Sequence, residues 1–208
     1  TYKLFSQILV NRIMKQKNRI FGRQQKGFVN GRMALDNVFN SKILLDRGFK
    51  MSLLDFSKAF DSVDFCTILN TLRNLGFDPQ SKTLIATMLG GWTAIKAGTI
   101  STKFYCDRGV RQGDPLSPAL FAIAIEPLLE RLNSKGNATI GGLPASPSLL
   151  LTIAIFDKTY EGIDKLTGIV KEYEDCSGLR LNAKKCVCLD DPARTDLSKY
   201  QNIRDFVI

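Results

Sequence analysis

Histidine is missing from this 208-residue chain. That removes the usual general base and the commonest nitrogen ligand for metals together. Any chemistry must run on carboxylates, amines, hydroxyls or thiols. No run of about eighteen apolar residues occurs, so no membrane span is expected. Acids are absent before Asp36. The five cysteines, Cys66, Cys106, Cys176, Cys186 and Cys188, are odd in number and widely scattered. They read as reduced thiols of an intracellular protein without disulfide partners. Cys186 and Cys188 alone make no zinc site. The chain begins with Thr1 in place of Met, which reads as a processed product or a fragment.

What is present is a hydrophobic content of 44%, enough to bury a core in one large domain. Charge is distributed unevenly. Residues 1–50 hold eleven Lys and Arg against Asp36 and Asp46, while the remaining 158 residues hold eighteen of each sign. The whole net charge of +9 therefore sits in the N-terminal quarter. A polyanion suits such a segment, since phosphate contacts supply most of the salt-dependent affinity for nucleic acid. A solvated basic face is the plain alternative. A targeting peptide of mitochondrial type is another, because the first 35 residues combine the missing acids with an amphipathic run.

Hydrophobic spacing predicts helices over residues 2–14 and 35–45, the second stopping at Arg47-Gly48. Between them, GRQQKGFVNGR reads as a basic, glycine-punctuated loop. KMSLLDF reads as a short buried strand, followed by a helix with the stripe Ile68, Leu69, Leu72 and Leu75 that ends at Gly76 and Pro79. A helix over about 81–89 and a hairpin about Ala97-Gly98 follow. SPALFAIAIEPLLERL predicts a helix with Ser117 as N-cap and Pro118 at its first position. GNATIGGLPASPS reads as a loop, SLLLTIAIF as one uninterrupted buried strand, and KLTGIVKEYEDC as a helix closed by Gly178. This mixture predicts an α+β fold.

Three aspartates fall within LLDFSKAFDSVD, residues 53–64. Asp55 ends the strand, where its carboxylate points out of a sheet edge and could hold a divalent cation. Two-ion phosphoryl transfer needs several such carboxylates, because the ions sit about 3.5–4 Å apart. An ordinary capping role for Asp55 stays open. For Asp61 and Asp64 the local reading is a helix start, with Asp61 or Ser62 as N-cap and Asp64 in the first turn.

Taken together, YKLFSQILVNRI, QQKGFVNGRMALDNV, LLDFSKAFDSVD with LRNLGF, GVRQGDPLSP with LFAIAIEPLL, and SGLRLNAKK resemble the reverse transcriptase domain of non-LTR (LINE-type) retrotransposons. The likeness runs in family order from Tyr2 to about Cys188. It implies a right-hand polymerase of fingers and palm with an antiparallel palm sheet. Residues 1–50 are then a basic fingers segment, 50–190 a palm with interleaved finger helices, and 191–208 a C-terminal tail of one continuous domain. Asp55 matches the first catalytic aspartate, with the carbonyl of Phe56 beside it on a metal. Phe60 matches the aromatic under the incoming sugar. Arg111, Gln112 and Gly113 match the loop that packs on nucleotide and template. Lys26, Asn30 and Arg32, with Arg19 and Arg23, match fingers residues that meet nucleic acid.

One motif departs from the family. Counting back from SGLRLN, the Tyr/Phe-Ala-Asp-Asp turn falls on Leu149-Leu150-Leu151-Thr152, so Leu151 and Thr152 replace both aspartates. Sliding the register to Ile155-Phe156-Asp157-Lys158 is the alternative, but along a strand Asp157 lies roughly 20 Å beyond Leu151 at ~3.3 Å per residue. Leucine cannot ligate Mg²⁺, and a neutral hydroxyl is a weak ligand for a hard cation. Asp55 therefore reads as vestigial, with no cofactor expected, and Mg²⁺ only if the chain is active. From the short remainder to Ile208, no thumb, endonuclease or ribonuclease H is expected. Three functions stay open: an inactive reverse transcriptase-like domain that binds RNA or serves a ribonucleoprotein with other proteins, an active RNA-directed DNA polymerase fragment, and a protein scaffold without nucleic acid. The compartment, mitochondrion or nucleus, is not resolved by sequence.

Overall fold

A computed structural model describes residues 2–97, 99–135, 139–140, 143–144, 148–149 and 152–189. The tail 191–208 lies outside them. The amphipathic start forms α1 (Tyr2–Lys15), which buries Val10, Ile13 and Met14, and a one-turn helix α2 (Lys17–Ile20) follows. After the glycine-punctuated loop, α3 (Ala34–Asp46) leads into β1 (Lys50–Asp55). A short helix that periodicity could not reveal, α4 (Ala59–Ser62), separates β1 from α5 (Phe65–Asn74) and α6 (Pro79–Leu89). β2 (Gly91–Ala97) and β3 (Ile100–Cys106) form the expected hairpin, with Ala97 paired to Ile100.

Next comes α7 (Leu116–Lys135), of which thirteen residues out of twenty are buried. A helix apolar on all sides must be surrounded to be stable, and α7 is packed by α1 and α5. Its start differs from the sequence reading. Ser117 lies inside the helix and spends its hydroxyl on the Arg111 carbonyl at 2.6 Å, while Asp114 takes the cap by accepting from the Leu116 amide at 3.2 Å. The helix also runs to Lys135, and the region read as a loop carries two short strands, β4 (Thr139–Ile140) and β5 (Leu143–Pro144).

The run SLLLTIAIF is not one strand. β6 (Ser148–Leu149) and β7 (Thr152–Asp157) pair antiparallel, with Leu149 opposite Thr152. An unbroken apolar run carries no period to reveal a reversal. The helix α8 (Tyr160–Ser177) follows; its N-cap Thr159 accepts from the Gly162 amide at 3.0 Å, and it ends at Gly178 with φ +75°. The last element is β8 (Val187–Leu189).

The main sheet has the order β6-β7-β1-β8 and is antiparallel throughout. Residues of β1 alternate between two cores. Met51 and Leu53 join Leu44 of α3 with Ala154 and Phe156 on one face. Leu54 joins Ile153, Ile155 and the α7 residues on the other, over which α8 lies. Val10, Ile13, Ile20, Phe21 and Val29 belong to that same larger cluster, so the basic N-terminal quarter shares the core of the sheet. Leu129 of α7 is fully buried there. Truncating Leu129→Ala is expected to lower stability by about 2–5 kcal/mol. Urea unfolding checks it as a fall in midpoint at unchanged slope.

Candidate functional site

Asp55 is the last residue of β1 and stands opposite Thr152 of β7. Its position is fixed by the segment after α8. The Asp55 carbonyl accepts from the Asn182 amide at 2.8 Å and from the Cys186 thiol at 3.8 Å, and the Ser57 amide donates to the Arg180 carbonyl at 2.8 Å. Phe56 is buried and bridges to Leu181. Burial pushes the Cys186 thiol above its ordinary pKa. The Asp55 carboxylate is 19% exposed and lies 4.0 Å from the Lys185 ammonium, which is 70% exposed. A pair this open contributes at most about 1 kcal/mol.

The hairpin of β6 and β7 carries the position where the sequence register set the family's acidic turn. Leu151 lies outside the described residues, and Thr152 is half-buried. The alternative register fails because Ile155, Phe156 and Asp157 pair with Ser52, Met51 and Lys50 deep in the sheet. Asp157 is thus five residue pairs from Asp55, about 17 Å at ~3.3 Å per residue. Its Oδ1 accepts from the Thr159 amide and hydroxyl, both at 2.8 Å. Among the described residues no group of three or more His, Cys, Asp or Glu could hold a metal ion. A two-ion centre does not fit this donor set of one carboxylate, one hydroxyl and a neighbouring ammonium.

Two chain segments clamp the loop and helix 57–64 that follow Asp55. On one side the Val110 amide donates to the Phe60 carbonyl at 2.6 Å and the Gly109 amide to the Val63 carbonyl at 2.8 Å. A Cβ on Gly109 would come within 2.8 Å of the Asp61 backbone. On the other side the Asp64 amide donates to the Ser177 carbonyl at 2.8 Å, and a Cβ on Gly178 would meet the Ser62 carbonyl at 2.6 Å. Only a residue without a side chain permits either approach. Asp61 is not a cap. Its Oδ1 accepts from the Gln112 side-chain Nε2 at 3.0 Å, tying the two loops together. Asp64 occupies the N-cap of α5 without a side-chain bond, rather than its first turn.

Phe60 is half-buried between Phe28 and Phe121, with ring centroids at 5.7 and 5.0 Å. Arg111, Gln112 and Gly113 are exposed together; Arg111 lies 5.8 Å from the Tyr2 ring, and a Cβ on Gly113 would meet open space. The close approach expected at Gly113 is therefore not made by the chain itself.

The fingers residues divide. Lys26, Asn30 and Arg32 line one groove of about 550 Å³ with Gln7, Val10 and Pro118. Within it, Lys26 pairs with Asp36 at 3.0 Å, and the Asn30 carbonyl accepts from Lys17 at 2.5 Å. Arg32 is occupied structurally: it donates to the Gly22 carbonyl, to the Gln25 carbonyl at 2.8 Å and to the Phe21 carbonyl at 3.1 Å. Arg23 is exposed apart from this groove, and Arg19 faces away to the Leu75 carbonyl at 2.7 Å.

Sequence reasoning passed over Glu126, the one charge inside LFAIAIEPLL. It is 1% exposed; its Oε1 accepts from the Gly22 amide at 2.6 Å, and its Oε2 has no partner among the described residues. Glu126 thus holds the same loop from α7 that Arg32 holds from within. Burial, with Glu130 adding to it, raises its pKa to about 7 against the pull of the Gly22 amide and Arg32.

The family described as "Reverse transcriptase (RNA-dependent DNA polymerase)" matches residues 1–195. The Pol polyprotein of the type-2 retrotransposable element R2DM of Drosophila melanogaster is 33% identical over 172 residues, covering 78% of this chain and 16% of that protein. The Pol polyprotein of the type-1 element R2 of Popillia japonica is 31% identical over 164 residues, covering 74% of this chain and 26% of that protein. This chain spans about a quarter or less of these relatives. Among solved structures, a telomerase from Candida albicans in complex with a fragment of telomeric RNA covers 97% of this chain and 36% of its own, with a TM-score of 0.64 at 14% identity. Apo telomerase from Candida tropicalis covers 94% of this chain and 42% of its own, with a TM-score of 0.65 at 12% identity. These likenesses establish a polymerase fingers and palm fold.

A carboxyl whose pKa is higher folded than unfolded stabilises below its unfolded value, and that contribution is lost as pH rises through the folded value. Relative to Glu126→Gln, the wild type is expected to lose up to about 3 kcal/mol between pH 4.5 and pH 7. Parallel urea titrations of the two proteins across that range check it.

Proposed function

Because the chain belongs to the reverse transcriptase (RNA-dependent DNA polymerase) family, of the kind carried by non-LTR retrotransposons, we propose that it is a family member that binds RNA without polymerising on it. The observation that carries this reading is the strand pair Asp55–Thr152. Where a second carboxylate would face Asp55 across the sheet there is a hydroxyl, and the residue before it is Leu151. Asp55 alone is not enough to hold two ions. Mg²⁺ accordingly takes no part in the proposed activity.

RNA binding is supported by charge and shape. The net charge of +9 is concentrated in residues 1–50, and Lys26 and Asn30 of that segment line a groove open to solvent beside α1. Cations near a groove attract a phosphate backbone and release its counterions. Arg111 and Gln112 are exposed as well, four and three residues before Pro115, which lines the groove. The telomerases that share the fold were solved with telomeric RNA in two cases, which favours RNA as the partner class. Membership of a larger ribonucleoprotein with other proteins fits the same role. The described helices include none long and apolar enough to cross a membrane.

A polymerase reading draws on the clamped loop with Asp55, Phe60 and Gln112, the residues to which the resemblance gives the metal and nucleotide roles. Primer extension on an RNA template with Mg²⁺ or Mn²⁺ separates the two. No incorporation above an Asp55→Asn control is expected, and incorporation that disappears in that control would sink the inactive reading. Affinity for single-stranded RNA is expected to fall about tenfold or more between 50 and 200 mM salt, measured by fluorescence anisotropy. Affinity indifferent to salt defeats RNA binding and leaves the scaffold reading.

A further inference from the structure

The groove with Lys26 and Asn30 runs along the side of α1 that carries Gln7, Val10 and Met14. A second groove, of about 310 Å³, runs along the opposite side. There Leu9 and Ile13 of α1 face Phe77, Leu84 and Ile85 on and before α6. Arg12 and Arg19 line it as well. One acid, Asp78, also lines it, but its carboxylate is committed to α6: it accepts from the Ser81 amide at 2.8 Å and the Ser81 hydroxyl at 2.6 Å. These bonds hold the carboxyl below its usual pKa, so it stays ionised, and with Arg12 and Arg19 the groove keeps a net single positive charge. Arg19 donates to the Leu75 carbonyl at 2.7 Å, which keeps its guanidinium against the groove wall.

The apolar surface continues past the rim. Leu4, Phe5 and Ile8 on the outer side of α1 are 71%, 43% and 50% exposed. Arg12 and Lys15 follow in the last turn of that helix. An aliphatic floor beside a fixed positive rim suits one recognition mode well: an amphipathic helix laid into a groove, with anchors one turn apart and complementary charge at its edge. A phosphate backbone has no use for the aliphatic floor.

We propose that this groove docks an acidic amphipathic helix of a partner protein, seating its apolar side chains on Leu9, Phe77 and Leu84 and its carboxylates on Arg12 and Arg19. The site lies across α1 from the groove assigned to RNA, so the chain can hold both partners at once. It goes beyond the RNA reading and stands without it.

The test uses a fluorescein-labelled helical peptide of Leu, Phe and Glu, a counterpart with Lys for Glu, and a third with Ser for Leu and Phe. Anisotropy is expected to show the acidic peptide bound about tenfold or more tighter than either control. Arg12 is exposed, so Arg12→Glu should leave the thermal midpoint in place while reversing the preference between the acidic and basic peptides. A photoreactive group on a peptide Phe should label residues 77–85, and excess single-stranded RNA should not displace the peptide. Equal binding of the peptides, a preference unchanged by Arg12→Glu, labelling elsewhere, or displacement by RNA would each overturn the proposal. Loss of RNA binding with peptide binding intact would count against the RNA reading alone.

Discussion

The fold rests on the burial of α7. LFAIAIEPLL offers no polar side to water, so the helix is stable only when other elements enclose it, and the elements that do so are those that carry the functional residues. On one flank lies α1, bringing the basic N-terminal segment. On others lie α5, which follows the Asp55 loop, and α8, which lies on the sheet. Phe121 of α7 touches Phe60, and Glu126 reaches the Gly22 amide. A helix with a polar face could have left these segments loose. This one gathers them because it has no other way to leave water.

In the proposed reading the scaffold is retained while the metal donors are not, and the two are compatible because they draw on different physics. Asp55 is oriented by backbone bonds from Asn182 and by strand pairing, none of which needs a metal. The loop 57–64 is shaped by Gly109 and Gly178 and by amide–carbonyl bonds. The position opposite Asp55 is half-buried at the start of an inner strand, where Thr152 is more comfortable than an unpaired carboxylate. Stability therefore places no demand for a carboxylate opposite Asp55.

Much of this was legible in the sequence. Helical stripes such as Ile68-Leu69-Leu72 and the strand KMSLLDF appear close to where periodicity put them, and Gly178 closes α8 as a left-handed residue should. What stayed hidden depends on distant partners. Ser117 is a good N-cap by type, but its hydroxyl goes to Arg111 while Asp114 caps the helix. Asp61 looks like a local helix start until Gln112 arrives from another loop. Arg32 matches a fingers residue that meets nucleic acid, yet it spends its donors on three carbonyls of its own loop. Glu126 gave one clue, a charge in an otherwise apolar helix, and its meaning lay in a loop at the other end of the sequence. The pairing of β6 with β7 gave none, because Leu149 and Thr152 fall in one apolar run that looks like a single strand.

The clamp around residues 57–64 also bears on how the molecule comes to exist in time. The stretch that carries Phe60 and Asp61 is made early, but the backbone groups that define it come from residues 109–110 and 177–180, which are made later. Contacts between such distant positions form slowly, because chain entropy is lost before they repay it. On a growing chain the nearer arm, with Gly109, can close while the farther one is still unmade. The loop then lacks its second arm, and its final form waits for the turn after α8, the same late segment that orients Asp55.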